Sequence, residues 1–134
     1  MPFVVLDASA AVELLLRTPA GLRAEAALRT HRVVVPAHFD AEVFSALGRL
    51  VRGGEVEERS VEPILDQLAR APFLRYTLQP LLAAAWGLRH NLALRDALYV
   101  CLARRLAAPL VTADARLAQA PALGVEITLV VSRV

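Results

Sequence analysis

Phe3-Val4-Val5-Leu6-Asp7-Ala8-Ser9 decides the architecture of this chain. Four apolar residues in a row, without the alternation of a half-exposed strand, predict a strand covered on both faces. An acid ends the run, and the small residues Ala8 and Ser9 turn the chain into a helix over about residues 10–16. Asp7 and Ser9 are both of the type that caps a helix N-terminus. A strand buried on both faces and followed at once by a helix belongs to a parallel sheet, whose strands are joined by helical crossovers.

Outward from that stretch the pattern recurs. Thr18-Pro19 breaks the first helix and starts a second, over about residues 20–30, and Val33-Val34-Val35 is the second strand, closed by Pro36. A long helix over about residues 37–52 ends at Gly53-Gly54. Another opens at Ser60, its expected N-cap, and runs to about residue 71. Residues 73–77 read as the third strand, 80–90 as a helix with Asn91 as C-cap, 94–106 as an apolar helix and 109–112 as the fourth strand. A helix through Gln119, a loop marked by Pro121 and Gly124, and a strand at 127–131 complete the order. Strands alternating with helices predict an α/β, three-layer sandwich around a central, mostly parallel five-stranded sheet, in a single domain over residues 1–134.

Composition narrows the function. The chain is 57% hydrophobic, enough for a core without disulfides, and its single cysteine, Cys101, falls on the apolar side of a helix. No apolar run reaches the roughly 18 residues a membrane span needs, and the start lacks the basic region of a signal peptide, so a cytoplasmic protein is expected. Fifteen basic residues against 13 acidic give a formal charge of +2, too weak to establish a nucleic-acid partner by itself. Every one of those basic residues is arginine; a coding bias toward Ala, Leu, Arg and Val accounts for that, but the lack of lysine still excludes some chemistries.

The acids carry the chemistry. In open α/β sheets the ligand crevice lies at the carboxyl ends of the strands. Asp7 ends the first strand, Asp114 lies two residues past the fourth, Glu42 is about a turn and a half into the helix after the second, and Asp96 is in the first turn of the helix over residues 94–106. All four can face one edge. Four neighbouring carboxylates repel one another, and a divalent cation relieves that conflict. Mg²⁺ or Mn²⁺ suits such hard oxygen ligands, polarises a phosphodiester and activates water. No zinc-spaced His/Cys cluster, Gly-rich phosphate loop or G-x-S-x-G elbow competes. A haloacid-dehalogenase-type phosphotransferase would want an aspartate where Ser9 stands, and a lysine; a receiver domain fails on the same missing lysine.

Four stretches, in order, resemble the motifs of PIN-domain ribonucleases, above all the VapC-type toxins: Val4-Val5-Leu6-Asp7-Ala8-Ser9-Ala10, Pro36-Ala37-His38-Phe39-Asp40-Ala41-Glu42-Val43, Leu94-Arg95-Asp96-Ala97-Leu98-Tyr99 and Leu110-Val111-Thr112-Ala113-Asp114-Ala115-Arg116-Leu117. The resemblance covers nearly the whole chain. It implies that Asp7, Glu42, Asp96 and Asp114 hold Mg²⁺ or Mn²⁺, that Ser9 and Thr112 support them, and that RNA is cut endonucleolytically with water as nucleophile. It also implies a cognate antitoxin protein and a homodimer. Arg95 departs from the small or polar residue the family often has there; with Arg116 it is a candidate for contact with RNA phosphate. Asp40 is expected to be solvated or capping; His38, one turn before Glu42, could reach it but is expected to be a surface or satisfied histidine; Trp86 and Tyr99 are expected to be core or interface. A PIN-like module that binds RNA or protein without catalysis stays open as the alternative.

Overall fold

A computed structural model describes residues 1–120 and 123–131; Pro121, placed in a loop above, lies outside them. The strands are β1 (Phe3–Leu6), β2 (Arg32–Pro36), β3 (Leu74–Tyr76), β4 (Leu110–Thr112) and β5 (Ile127–Leu129). The helices are α1 (Ala8–Leu16), α2 (Pro19–Leu28), α3 (Phe39–Arg52), α4 (Val61–Arg70), α5 (Leu82–Trp86), α6 (Leu94–Leu106) and α7 (Ala115–Gln119). Among the described residues these strands form one sheet in the order β3-β2-β1-β4-β5, and every pairing is parallel.

β1 is central, as its unbroken apolar run requires, and Val4, Val5 and Leu6 are at most 1% exposed. From β1 the chain steps outward through β2 to β3, then returns to lay β4 on the other side of β1. That reversal leaves a crevice between the carboxyl ends of β1 and β4, where the flanking loops diverge. α1 packs against α2, α3 and α4, while α6 packs against α5 and strands β1, β2 and β4, giving the helix–sheet–helix sandwich. α6 is more deeply placed than a stripe implies. Ala97 through Ala103 are all buried, so it is enclosed on every side.

Three local expectations are corrected. The helix expected over residues 80–90 is a 3-10 turn at Gln79–Leu81 followed by only five α-helical residues. Beyond Trp86 the backbone tightens into short turns, with the Leu88, Arg89 and Asn91 amides donating three residues back, so Asn91 closes a turn and caps no helix. This segment buries only Leu81 and Ala85, too little apolar contact to sustain a longer helix. Ser60 makes no cap bond, because the 3-10 turn Glu58–Ser60 runs straight into α4 and leaves no free helix start. Asp40 is neither free in solvent nor a cap. It takes two bonds from Arg75 on β3, at 3.0 and 2.7 Å, the paired geometry that suits guanidinium to carboxylate.

Candidate active site

Asp7 directly follows β1 and is 5% exposed. It occupies the N-cap position of α1 but makes no cap bond with its side chain. Instead Oδ2 accepts from Ser9 Oγ at 2.5 Å and from Thr112 Oγ1 at 2.8 Å. Each hydroxyl has one hydrogen and gives it to Asp7. Each then accepts a backbone amide: Ala113 N–H onto Ser9 Oγ and Asp114 N–H onto Thr112 Oγ1, both at 3.0 Å. This cluster ties the end of β1 to the end of β4 across the crevice. Burial still pushes the Asp7 carboxyl above its ordinary range, the two hydroxyls oppose that shift, and the charge of Asp114 adds to it.

Removing one of those donors is informative. Thr112 is fully buried, so Thr112→Val fills the same space but leaves Oδ2 short of a donor. We expect a loss of about 1–3 kcal/mol in urea unfolding, as for a buried polar group that loses a partner. Unchanged stability would mean that Ser9 alone suffices.

Asp114 follows β4 and caps α7, accepting the Arg116 amide on Oδ1 at 2.9 Å. Asp96 sits in the first turn of α6. Its carboxyl is pushed up to about 6, first by burial, then by the negative charges of Asp7 and Asp114; Arg95 offsets this and Glu42 adds to it. The acids are therefore close enough to feel one another. Asp7, Glu42, Asp96 and Asp114 line one recess of about 230 Å³, together with Ser9, Arg49 and Arg95.

Glu42 comes from α3 and meets two further side chains: Tyr99, expected only as core or interface, and His38, expected within its reach but without a role. Tyr99, fully buried on α6, donates its hydroxyl to Glu42 Oε1 at 2.7 Å. The bond holds the phenol proton and, with burial as the larger cause, raises the Tyr99 pKa. His38 Nε2 lies 3.0 Å from the Arg95 carbonyl and 3.5 Å from Glu42 Oε1, with its ring 5.0 Å from that of Tyr99. Both neighbours of Nε2 are acceptors, which assigns the proton to Nε2 and leaves the buried Nδ1 without a partner among the described residues. One sequence signal existed for Tyr99: it stands three residues after Asp96, on the same helix face. Tyr99→Phe keeps the shape and removes the donor. We expect about 10-fold weaker divalent-metal binding, read as a reduced metal-induced rise in Tm, with the metal-free fold intact.

The two candidate phosphate contacts are placed differently. The Arg95 side chain is 70% exposed with Nε 3.5 Å from Glu42 Oε2, so it overhangs the acids. Arg116 is 92% exposed, with Nε 3.7 Å from Asp114 Oδ1, at the outer rim.

The donor set fits a hard divalent cation: carboxylate oxygens from four elements around one small polar recess. Among the described residues, no three Asp, Glu, His or Cys side chains are already closed on a common point.

The PIN domain family model matches residues 4–123. The chain is 48% identical over 118 residues to Ribonuclease VapC3 of Mycobacterium tuberculosis, covering 87% of this chain and 86% of that protein. In structure it is similar to the Pyrobaculum aerophilum protein PAE2754, with a TM-score of 0.66 at 21% identity, covering 94% of this chain and 83% of that one. It is also similar to a chain of a toxin-antitoxin complex from Klebsiella pneumoniae, with a TM-score of 0.62 at 19% identity, covering 91% and 94% respectively. With the acids gathered at the β1–β4 crevice and the family model matching nearly end to end, the chain belongs to the PIN domain family.

Proposed function

We propose that this chain is a divalent-metal-dependent endoribonuclease, the toxin of a toxin–antitoxin pair. The observation that carries the reading is the meeting of Asp7, Glu42, Asp96 and Asp114, from four separate elements, in one recess at the carboxyl edge of the sheet. These four would hold Mg²⁺ or Mn²⁺. When bound, the ion supplies positive charge against the phosphodiester and activates water as the nucleophile. The chain's own residues do the rest. Ser9 and Thr112 fix the orientation of Asp7, and Tyr99 fixes that of Glu42. Arg95 overhangs the acids, where it can meet the phosphate, while Arg116 stands at the rim.

The ribonuclease relative supports RNA as the substrate. A cognate antitoxin and a homodimer complete the reading as expectations of the family. No helix among the described residues is long and apolar enough to cross a membrane; work in the cytoplasm is a further expectation of the family.

The test is cleavage of a mixed pool of structured RNAs by the purified chain with Mg²⁺, with Mn²⁺ and with excess EDTA. Discrete internal cuts that need the metal are expected. RNA bound but never cut under any metal would favour the non-catalytic module instead.

A further inference from the structure

The acid recess does not stand alone. It shares Glu42, Arg49 and Arg95 with a recess of about 420 Å³ along α3, and Arg95, Asp96 and Asp114 with a recess of about 400 Å³ beneath the turn of residues 87–93. Together they form one groove, with the acids in its middle. Its two arms differ. The arm under the turn is walled by Arg89, Asn91 and Arg116, and Arg89 connects it to the exposed ring of Trp86.

Arg89 is held in place without a ligand. Its Nη1 donates to the Trp86 carbonyl at 3.0 Å, and its guanidinium carbon lies 4.8 Å over the Trp86 ring. An exposed arginine ordinarily loses much rotamer freedom on binding; here that ordering is already done. Trp86 is 57% exposed, so burial does not account for its position. A planar guanidinium and an indole face are the surfaces on which unpaired bases stack. The Asn91 side chain, which can both donate and accept, makes no hydrogen bond to the described residues and borders the same space.

We propose that this arm is a nucleotide subsite: the base of an unpaired nucleotide next to the cleaved phosphate stacks on the Trp86–Arg89 pair, and Asn91 reads its edge. The inference rests on the ribonuclease reading and deepens it by assigning one side of the groove to base recognition. Paired bases are excluded, because both faces of a base inside a duplex are already stacked.

Trp86 is the chain's sole tryptophan, so its emission reports on this subsite alone. The experiment titrates the full chain with a labelled, mixed-sequence RNA octamer, in Ca²⁺ in place of Mg²⁺ to suppress hydrolysis, and the octamer is checked for intactness by gel after the titration. The expected result is saturable quenching of Trp86 with the midpoint given by the label's anisotropy, and no quenching by the same octamer annealed into a duplex. Arg89→Lys keeps the charge and loses the plane; it should bind about 5-fold more weakly or worse, with an unchanged melting curve. Asn91→Ala should flatten preferences among octamers that differ at a single base. Anisotropic binding with silent Trp86 emission, or full affinity in Arg89→Lys, would overturn the subsite. So would concentration-dependent shielding of Trp86 without RNA, which would put a second copy of the chain there. Cleavage of unmodified RNA, measured in parallel, judges the ribonuclease reading separately: cutting with a silent Trp86 removes the subsite and leaves the enzyme.

Discussion

Asp96→Asn should lower RNA cleavage by about 10³-fold, roughly 4 kcal/mol of transition-state stabilisation, while making the metal-free protein more stable. The two effects have one cause. Asp96 is half-buried and faces the charges of Asp7, Asp114 and Glu42 across a small recess, and burial first, then those charges, raise its carboxyl to about 6 from the ordinary 3.8. The folded chain therefore holds that proton more tightly than the unfolded chain does. The contribution to stability is present in full below about pH 4 and is lost as the pH rises through about 6. The raised carboxyl of Asp7 acts in the same direction. At pH 7 this appears as the cost of a partly desolvated charge held among like charges, which a cation would offset and an amide would remove.

Because solvent reaches Asp96, the gain from asparagine at pH 7 is on the order of 1 kcal/mol, well below the full value of the shift. At pH 4, where Asp96 is already protonated, the variant and the parent should melt together. Mg²⁺ should raise the Tm of the parent near neutral pH and raise that of the variant much less. Thermal melts from pH 4 to pH 8, with Mg²⁺ and with EDTA, check all of this. A variant that melts at the parent's temperature at pH 7 in EDTA would show that neither burial nor the neighbouring acids burden the Asp96 carboxylate. Cleavage within 10-fold of the parent would remove Asp96 from the reaction.

The second large effect lies away from the acids, where α2 crosses α1. Gly21 has no room for a side chain. A Cβ there would lie 2.0 Å from the Glu13 carbonyl oxygen and 2.8 Å from the Leu14 Cα, all of it backbone. Gly21→Ala must therefore push α1 and α2 apart, at a cost of about 3 kcal/mol and a fall in Tm of about 10 °C. Gly48, inside α3, is the control. A Cβ there meets only the flexible end of Arg52 at 3.4 Å, so Gly48→Ala should be neutral or stabilising by up to about 1 kcal/mol through the gain in helix propensity. Equal melting temperatures for the two variants would mean that the α1–α2 crossing is looser than its geometry.

Much of the fold was legible because each strand is a short run of apolar residues with a helix behind it. Val4, Val5 and Leu6 read as a strand covered on both faces, and they form the centre of the sheet. The segment over residues 80–90 misled because Leu81-Leu82-Ala83-Ala84-Ala85-Trp86 has helical propensity throughout. Propensity does not say how much of a helix finds a partner, and here only Leu81 and Ala85 do.

The site divides in the same way. The amino-acid order by itself placed Asp7 and Asp114 at strand ends and Asp96 in a first helical turn, because strand ends and helix starts are local properties of the chain. Only the tertiary structure decided that Asp7 would give up its helix cap for the hydroxyls of Ser9 and Thr112, the latter 105 residues away along the chain. Likewise, only the packing of α6 against the sheet brought the Tyr99 phenol to Glu42, 57 residues distant, and to the ring of His38. Such partnerships are bonds between side chains that approach only after the core has closed. Their directions follow from packing, which no local pattern of residues encodes.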